Sequence, residues 1–345
     1  MVNAAVVGYG YSGRAYQSYL IGLAEGLRLH AISTRDEGRQ AEAKENHPDA
    51  KIYPDFDALL TDDDVDLIVL ATPHDVHCDQ AVKAMDAGKH LVTDKIMCMN
   101  ASEAEEMIAA RDRNNVLLSV FHNRRWDWDY LTVRKAIDDG LLGEPYLFKV
   151  GIMRYGSPRG WRGDLAQSGG ILFDWPAHFV DQALLLAGAP VESVYCDVIF
   201  RDHWPIDIGN YGTMLIRFAN GIRYQIEIGN LSAIAIPRWF VAGDLGTLSK
   251  SGLDPQEPFL RLGLIEDAKE PPEDRARVVT YRNGDPEERI IDSVKGSWKD
   301  YYQNISDVLN QGAELIVTPE QVLKTMRVYD AAMAAAESGQ TVSLN

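Results

Sequence analysis

Short apolar runs alternate with longer amphipathic segments through residues 1–121. The apolar runs are AAVVGYG at 4–10, LRLHAIS at 27–33, DLIVLATP at 66–73, KHLVTD at 89–94 and VLLSVF at 116–121. Helical patterns lie between them at residues 12–26, 75–87 and 102–113, the last with a candidate capping box at Ser102 and Glu105. Because strands with almost no polar residues are buried on both faces, this half predicts an α/β fold with a parallel sheet covered by helices.

The pattern changes after residue 121. Strand-like stretches alternate apolar with polar residues at 146–154, 191–200, 211–219, 222–231 and 238–243, which predicts a large, mostly antiparallel open sheet in an α+β domain. Helices are predicted at 130–140, 177–187, 297–310 and 319–337, and an exposed hairpin or loop at 265–288. We therefore predict two domains, 1–121 and 122–345, with the C-terminal helices as candidates to pack back toward the first domain.

Three glycines follow the first predicted strand and open the first predicted helix. Gly8, Gly10 and Gly13 form a G-x-G-x-x-G pattern that includes Tyr11 and Ser12. Glycines at these positions permit a tight turn, a close approach of the backbone to a pyrophosphate, and close helix–strand packing. The strand–turn–helix context predicts a doubly wound Rossmann domain that binds a dinucleotide. The alternative is a glycine-rich turn without a ligand.

The residues after the second predicted strand indicate the cofactor type. NAD-binding proteins usually carry Asp or Glu about 20 residues beyond the last glycine, where the carboxylate binds the ribose hydroxyls. Ser33, Thr34 and Arg35 occupy this place, and Asp36 follows them. Hydroxyls and a guanidinium bind a 2′-phosphate, which a carboxylate would repel, so the sequence favours NADP over NAD. The alternative is a helix N-cap turn without a ligand preference.

Composition narrows the range of partners. The formal net charge is −17 at pH 7, which argues against nucleic acid or an anionic membrane, because both require a basic face on the protein. The three scattered cysteines, without C-x-x-C or metal-ligand spacing, are typical of reduced thiols, so we expect a cytoplasmic protein without a metal site. No apolar run approaches the roughly 20 residues that span a bilayer.

Residues 71–95, ATPHDVHCDQAVKAMDAGKHLVTDK, combine several motifs in order. A strand ends in Thr72 and Pro73, a helix follows, Ala-Gly-Lys-His stands at 87–90, and a second strand ends in Asp94 and Lys95. This order resembles the glucose–fructose oxidoreductase / inositol dehydrogenase / MocA (Gfo/Idh/MocA) family, in which the second strand ends in Glu-Lys-Pro. Aspartate replaces the glutamate in one branch of the family. Ile96 replaces the proline, whose peptide bond is typically cis in the family, and isoleucine is far less favourable than proline for such a bond.

The resemblance covers nearly the whole chain. Residues 123–126, Asn-Arg-Arg-Trp, match the segment that opens the family's substrate domain. Gly-Gly at 169–170 with Asp174 and His178 matches the family's Gly-Gly … Asp-x-x-x-His motif. Residues 246–257, GTLSKSGLDPQE, are similar to a branch that contains NADP-dependent scyllo-inositol dehydrogenases.

The resemblance implies roles for three candidate catalytic residues. In the family the lysine and the histidine flank the reacting carbinol, which implies that His178 is the main acid/base, Asp174 a ligand of a substrate hydroxyl, and Lys95 an electrostatic and proton-relay partner. The residue types fit this chemistry, because oxidation of a secondary alcohol requires a base for the hydroxyl proton. Considered alone, a strand-end lysine is usually a solvated turn residue and a lone histidine on an apolar helix face is usually a core residue.

Further residues are candidates for binding roles. Trp faces stack on sugars and Arg donates to hydroxyls, so the sugar pocket has six candidates: Arg124, Trp126, Tyr155, Arg159, Trp161 and Arg162. The alternative for these six residues is packing between domains. The candidates for cofactor contacts beyond the glycine and STR segments are Thr72, Pro73, His74, His77, Asp94, Lys95 and Asn123. The alternative for His74 and His77 is that they only begin the following helix.

The sequence therefore predicts an NAD(P)-dependent oxidoreductase for a secondary alcohol of a sugar, glycoside or inositol. A redox-assisted lyase or glycosidase with a tightly held cofactor is an alternative, because some relatives use the same residues in this way. A non-catalytic sensor is a further alternative, against which Lys95, Asp174 and His178 argue. We also expect a homodimer or homotetramer, since relatives cover the open sheet face with another subunit.

Overall fold

A computed structural model describes residues 1–282 and 284–344. The chain forms two compact units, each built from three chain segments. The first unit contains Met1–Asn123, Pro258–Ile265 and Ser297–Met326, and the second contains Arg124–Glu257, Glu266–Gly296 and Arg327–Asn345. The first unit is thus larger than the domain 1–121 that the sequence predicted, because two later segments also belong to it.

The sheet of the first unit is entirely parallel. Its strands are β1 (Val2–Val7), β2 (Leu27–Ser33), β3 (Lys51–Tyr53), β4 (Leu67–Leu70), β5 (His90–Thr93) and β6 (Leu118–Val120). They lie in the order β3-β2-β1-β4-β5-β6, which is the doubly wound order of dinucleotide-binding domains. The predicted Rossmann sheet is confirmed, and the carboxyl ends of β1, β2, β4 and β5 carry the candidate site residues.

The sheet of the second unit is mostly antiparallel. Its strands are β7 (Pro145–Met153), β8 (Val191–Ile199), β9 (Tyr211–Phe218), β10 (Arg223–Gly229), β11 (Trp239–Gly243), β12 (Gly246–Lys250), β13 (Ala276–Arg282), β14 (Asp285–Ile291) and β15 (Val342–Ser343). Their order is β14-β13-β12-β11-β7-β10-β9-β8-β15, in which the β7–β10 pair is parallel and the other pairs are antiparallel. The predicted open sheet is confirmed, and the hairpin expected within 265–288 is formed by β13 and β14.

The helices match most of the predicted segments. They are α1 (Ser18–Leu23), α2 (Glu37–Asn46), α3 (Phe56–Leu60), α4 (His77–Asp86), α5 (Ala101–Asn114), α6 (Trp128–Asp138), α7 (Leu165–Ser168), α8 (Pro176–Ala187), α9 (Gln256–Leu260), α10 (Lys299–Gln311) and α11 (Pro319–Ser338). A π-helical turn, Gly13–Gln17, precedes α1. No helix in the described part of the chain is long and apolar enough to cross a bilayer.

The N-terminal cap of α5 differs from the predicted one. Asn100 is the cap residue, and its side chain accepts the Glu103 N–H at 2.9 Å. The Glu103 carboxylate accepts the Met99 N–H at 2.9 Å in return. The capping box predicted at Ser102 and Glu105 is therefore wrong by two residues, because Asn100 offers an equivalent side-chain acceptor earlier in the chain.

Candidate active site

The loop after β1 can form only with glycine at two of its three glycine positions. Gly8 has φ +91°, and a Cβ on it would lie 2.6 Å from the Ala71 carbonyl oxygen. A Cβ on Gly13 would lie 1.9 Å from the Gly8 carbonyl oxygen. At Gly10, by contrast, the nearest atom beyond the chain neighbours is Arg39 Nη1, 3.8 Å from the Cβ position. The backbone is therefore open at Gly10, as a loop that receives a pyrophosphate requires.

The residues after β2 separate into buried and exposed ones. Ser33 and Thr34 are buried, and the Ser33 carbonyl accepts the Gly8 N–H at 2.8 Å. Asp36 caps α2 by accepting the Arg39 N–H at 2.9 Å, as the helix-cap alternative predicted. Arg35 is exposed, and the guanidinium of Arg39 reaches the glycine loop. Sequence reasoning missed Arg39, although it lies one helical turn after Arg35.

His77, just beyond β4, connects two strand ends. Its side chain is fully buried, with Nδ1 2.9 Å from the Ile96 carbonyl oxygen and Nε2 3.0 Å from the Thr72 carbonyl oxygen. Burial lowers the pKa of His77, although the Ile96 carbonyl and the Asp94 carboxylate oppose this effect. His77 therefore holds the segment after Lys95 against the end of β4. A direct cofactor contact by His77 stays a prediction, as do those of Thr72, Pro73 and the buried His74.

A chain of hydrogen bonds joins the glycine loop to Lys95 at the end of β5. The Ser12 hydroxyl donates to the Asp94 carboxylate, whose other oxygen accepts the Lys95 N–H at 2.8 Å. Gln17 Nε2 donates to Ser12 Oγ at 3.2 Å, and the Tyr302 hydroxyl donates to Gln17 Oε1. Gln17 and Tyr302 are fully buried, so the network has a rigid base. Asp94 thus fixes the Lys95 backbone to the glycine loop.

The residues after Lys95 explain why apolar positions follow a charged pair. Ile96, Met97 and Cys98 are buried in the first unit, whereas the Lys95 side chain is half-buried. The Lys95–Ile96 peptide bond is cis, as at the family's proline. The polar pair Asp94 and Lys95 therefore lies between the end of β5 and the buried segment 96–98.

Asp174 and His178 lie in one turn at the start of α8 in the second unit. The Ala177 N–H donates to the Asp174 carbonyl at 3.2 Å, and the His178 N–H donates to the Trp175 carbonyl at 3.1 Å. Arg154 Nη2 lies 3.7 Å from the half-buried Asp174 carboxylate. His178 is 4% exposed. Asp174 thus lies two residues before α8 with a non-helical backbone, φ −87° and ψ −109°, and His178 lies in the first turn of α8.

The double arginine before α6 is held by protein groups. Arg124 is buried, its guanidinium lies 3.0 Å from Asp127 Oδ2, and it stacks on the Trp175 ring at 3.8 Å from the centroid. Arg125 is paired with Asp181 on α8 through contacts of 2.8 and 2.6 Å. Sequence reasoning assigned Arg124 to the substrate and did not select Trp175, Arg125 or Asp181. These contacts of Arg124 all lie within the second unit, so they do not test the alternative of packing between domains, and its substrate role stays a prediction.

The remaining candidates for the sugar pocket lie in the second unit. Tyr155 is 58% exposed, and its hydroxyl lies 2.9 Å from His203 Nε2. Arg162 stacks over the half-buried Trp161 ring at 4.6 Å from the centroid. Trp126 is half-buried and Arg159 is exposed, whereas Asn123 belongs to the first unit and is buried. Tyr155, Trp161 and Arg162 therefore retain accessible surface for a ligand.

One group of side chains in the described residues has the chemistry of a metal site. Ligand atoms of His30, Asp62 and Asp64 lie within 4.8 Å of one another. Lys51 Nζ contacts both carboxylates, at 3.1 Å from Asp62 and 3.2 Å from Asp64. Burial alone would raise the pKa of Asp62, but hydrogen bonds from Tyr53 and Lys51 hold it well below its ordinary value. The Lys51 ammonium thus already offsets part of the negative charge of the two carboxylates.

Comparisons with known proteins give the family. Residues 2–122 match the family described as "Oxidoreductase family, NAD-binding Rossmann fold", and residues 130–249 match the "GFO/IDH/MocA C-terminal domain". The chain belongs to the Gfo/Idh/MocA family. This membership confirms the resemblance inferred from the sequence, and the protein is an oxidoreductase with an NAD-binding Rossmann domain.

Two named relatives of this Gfo/Idh/MocA protein act on inositols. It is 31% identical to the scyllo-inositol 2-dehydrogenase (NADP(+)) IolW of Bacillus subtilis over 99% of this chain and 96% of that protein. It is 28% identical to the myo-inositol 2-dehydrogenase of Thermotoga maritima over 57% of this chain and 58% of that protein.

Solved structures show the same architecture. The yvaA protein of Bacillus subtilis has a TM-score of 0.92 and 30% identity, covering 100% of this chain and 98% of its own. An NAD-binding protein from Listeria innocua has a TM-score of 0.86 and 28% identity, covering 99% of this chain and 96% of its own. The fold of this Gfo/Idh/MocA chain is therefore shared over its full length.

Proposed function

We propose that this protein is an NAD(P)-dependent dehydrogenase for a secondary alcohol of a sugar, glycoside or inositol. The observation that carries the proposal is the hydrogen-bond chain from the glycine loop through Ser12 and Asp94 to Lys95. It ties the backbone of the residue that carries the candidate acid/base group to the dinucleotide motif. The named inositol dehydrogenases among the relatives support the substrate class. The three scattered cysteines, without C-x-x-C or metal-ligand spacing, support a cytoplasmic location.

In the proposed reaction, the substrate alcohol loses its hydroxyl proton to protein groups and a hydride from its carbon to the nicotinamide. A nicotinamide dinucleotide whose pyrophosphate is held at the glycine loop would supply the hydride acceptor. The His178 imidazole takes the hydroxyl proton, because imidazole exchanges protons near neutral pH. The Lys95 ammonium stabilises the developing alkoxide and relays the proton. The Asp174 carboxylate accepts a hydrogen bond from a neighbouring substrate hydroxyl and so orients the ring.

A substrate panel tests this proposal. Purified protein is mixed with inositols, aldoses and glycosides in the presence of NADP or NAD, and the absorbance of reduced nicotinamide is followed together with product analysis. A dehydrogenase forms one reduced cofactor for each product molecule. Product without net cofactor reduction would instead indicate the redox-assisted lyase or glycosidase. Binding of cofactor and sugar without any product would favour the sensor.

The proposed cofactor is NADP rather than NAD. Exposed Arg35 and the guanidinium of Arg39, which reaches Gly10, place positive charge between the end of β2 and the glycine loop. The adenosine ribose of a dinucleotide is bound at the end of the second strand in this fold. A 2′-phosphate there would pair with either guanidinium. The NADP(+)-dependent relative supports the same choice.

Arg35→Ala is expected to raise the Michaelis constant for NADP by about tenfold or more, because a charge-assisted hydrogen bond to the 2′-phosphate is lost. The Michaelis constant for NAD should change little, since NAD lacks this phosphate. Initial rates with each cofactor at a saturating second substrate provide the measurement. Ser33 and Thr34 are poor control positions because both are buried. The control is therefore Arg28→Ala, which removes an exposed arginine from β2, the strand that precedes Arg35. Equal effects of Arg35→Ala on both cofactors would refute the assignment.

The proposed assembly is a homodimer or homotetramer formed through the open face of the nine-stranded sheet. Along β9, Met214, Ile216 and Phe218 are fully buried, whereas the residues between them are accessible. The accessible face includes half-buried apolar residues on several strands: Leu147, Leu215, Phe240 and Val279. A second copy of the chain would remove these side chains from water.

Sedimentation velocity at micromolar concentration is expected to show a dimer or tetramer. Leu215→Glu places a charge on the open face and should shift the distribution toward monomer, because an unpaired charge is costly to bury. Lys83→Glu changes an exposed lysine on α4 of the first unit, and as the control it should leave the assembly unchanged. A wild-type protein that sediments as a monomer would contradict this proposal.

A further inference from the structure

A segment from the second half of the chain belongs to the compact unit of the glycine loop. Pro258–Ile265 follows the body of the second unit in the sequence and is grouped with residues 1–123. Leu260 and Ile265 are buried, and α9 ends through N–H bonds from Leu262, Gly263 and Leu264 to the carbonyls of Phe259 and Leu260. These anchors fix the backbone on both sides of Arg261, whose side chain is exposed.

Arg261 contacts the glycine loop although the two are distant in the sequence. Its Nε donates to the Tyr11 hydroxyl at 2.7 Å across 250 residues, and its guanidinium carbon lies 5.3 Å from the Tyr11 ring centroid. Tyr11 packs edge-on against Tyr16, with centroids 5.6 Å apart, and Tyr16 stacks on fully buried Trp298. The contact with Tyr16 therefore orients the Tyr11 ring, and the Tyr11 hydroxyl in turn orients the Arg261 guanidinium.

Arg261 places a cation beside the glycine loop of a protein whose net charge is −17. Tyr11 lies between the second and third motif glycines, where backbone N–H groups face the pyrophosphate in a Rossmann domain. A guanidinium held at this loop offers a planar fork that matches phosphate oxygens, which a lysine ammonium does not. The glycine motif itself contains no cationic side chain.

We propose that Arg261 binds the pyrophosphate of the nicotinamide dinucleotide and that Tyr11 holds it in place. The inference rests on the proposed function, because it assumes a nicotinamide dinucleotide at the glycine loop. It assigns the pyrophosphate to Arg261 and leaves the 2′-phosphate to Arg35 and Arg39. The competing explanation is that the Arg261–Tyr11 contact only ties Pro258–Ile265 to the loop.

Two cofactor fragments separate these explanations. ADP-ribose carries the pyrophosphate without a 2′-phosphate, and adenosine 2′-monophosphate carries the 2′-phosphate without a pyrophosphate. Dissociation constants of both fragments, NADP and NAD are measured by calorimetry or competition for wild type, Arg261→Gln, Arg261→Lys and Tyr11→Phe. Arg113→Gln is the matched control, because it removes one exposed arginine of the same unit that is paired with Asp86.

Arg261→Gln is expected to weaken ADP-ribose, NADP and NAD by about tenfold or more, the usual scale for a lost charge-assisted hydrogen bond. Adenosine 2′-monophosphate should bind as to wild type. Arg261→Lys should restore part of the affinity, and Tyr11→Phe should lose part of it. Affinity for ADP-ribose should also become less sensitive to salt in Arg261→Gln, because one screened charge pair is gone.

Three results would overturn the inference in distinguishable ways. Unchanged ADP-ribose affinity in Arg261→Gln, with a lowered melting temperature and normal NADP binding by wild type, would show a structural tie and leave the proposed function intact. Equal losses for both fragments would likewise exclude a pyrophosphate-specific role. A wild-type protein that binds none of these ligands would overturn the proposed function together with this inference.

Discussion

Lys95→Ala and His178→Ala are each expected to lower turnover by about a hundredfold or more, the usual scale for a lost general acid/base. Both residues are assigned to the same hydroxyl proton, so the double variant should lose little more than either single one. Affinity for NADP should change little in His178→Ala and somewhat more in Lys95→Ala, since Lys95 is linked through Asp94 to the glycine loop. Steady-state rates of the four proteins at one pH provide the measurement.

Matched variants separate the catalytic role from charge and folding. Lys95→Arg keeps the positive charge but cannot release a proton in the accessible pH range, so it should remain impaired if Lys95 relays protons. Lys83→Ala removes an exposed lysine from α4 and should leave turnover unchanged. His178→Gln and melting curves control for the buried position of His178. Near-normal turnover in either alanine variant, or a double loss equal to the product of the single losses, would disprove the shared-proton mechanism.

The sheet of the first unit was predictable because its longer strands carry their own signal. β1, β2 and β4 are apolar runs bounded by glycines or polar turns, and burial on both faces explains their composition. β3 has three residues, one exposed and two half-buried, so no pattern marks it. Its place is set by pairing of Ala31 with Lys51, a tertiary contact that periodicity cannot reveal.

The site was predictable where a motif fixes the local backbone. The need for glycine at Gly8 and Gly13 follows from the turn, whereas Asp174 and His178 were selected by the family resemblance and their roles stay predictions. The Ser12–Asp94 hydrogen bond joins residues 82 apart, and no local pattern connects them. Burial is the other property that the sequence does not reveal. A sequence does not distinguish an arginine that binds a ligand from one that is enclosed by carboxylates, as Arg124 is by Asp127 and Glu257.

The buried pair of Arg125 and Asp181 has a large expected effect on stability. Both side chains are less than one-tenth exposed, and two parallel contacts of 2.8 and 2.6 Å join them. Asp181→Ala removes the carboxylate that balances a buried guanidinium, which is expected to lower the free energy of unfolding by about 3–5 kcal/mol. Urea denaturation followed by far-UV circular dichroism at a fixed pH measures the change.

An exposed pair with similar geometry provides the control. Arg277 and Glu288 on the β13–β14 hairpin are joined by contacts of 2.7 and 2.6 Å, but both side chains are more than half exposed. Glu288→Ala should therefore leave the denaturation midpoint close to that of wild type, because water already screens the pair. If Asp181→Ala and Glu288→Ala shifted the midpoint equally, burial would not be the cause of the effect.

Removal of both partners tests whether the cost arises from an uncompensated charge. Arg125→Met combined with Asp181→Leu leaves no ionised group at this position, so the double variant should recover a large part of the stability lost in Asp181→Ala. Its activity is a separate readout, since Asp181 lies one turn after His178 on α8. Recovered stability with turnover still depressed would show that the ion pair also orients the start of α8. A double variant as unstable as Asp181→Ala would mean that the lost energy came from packing rather than from charge.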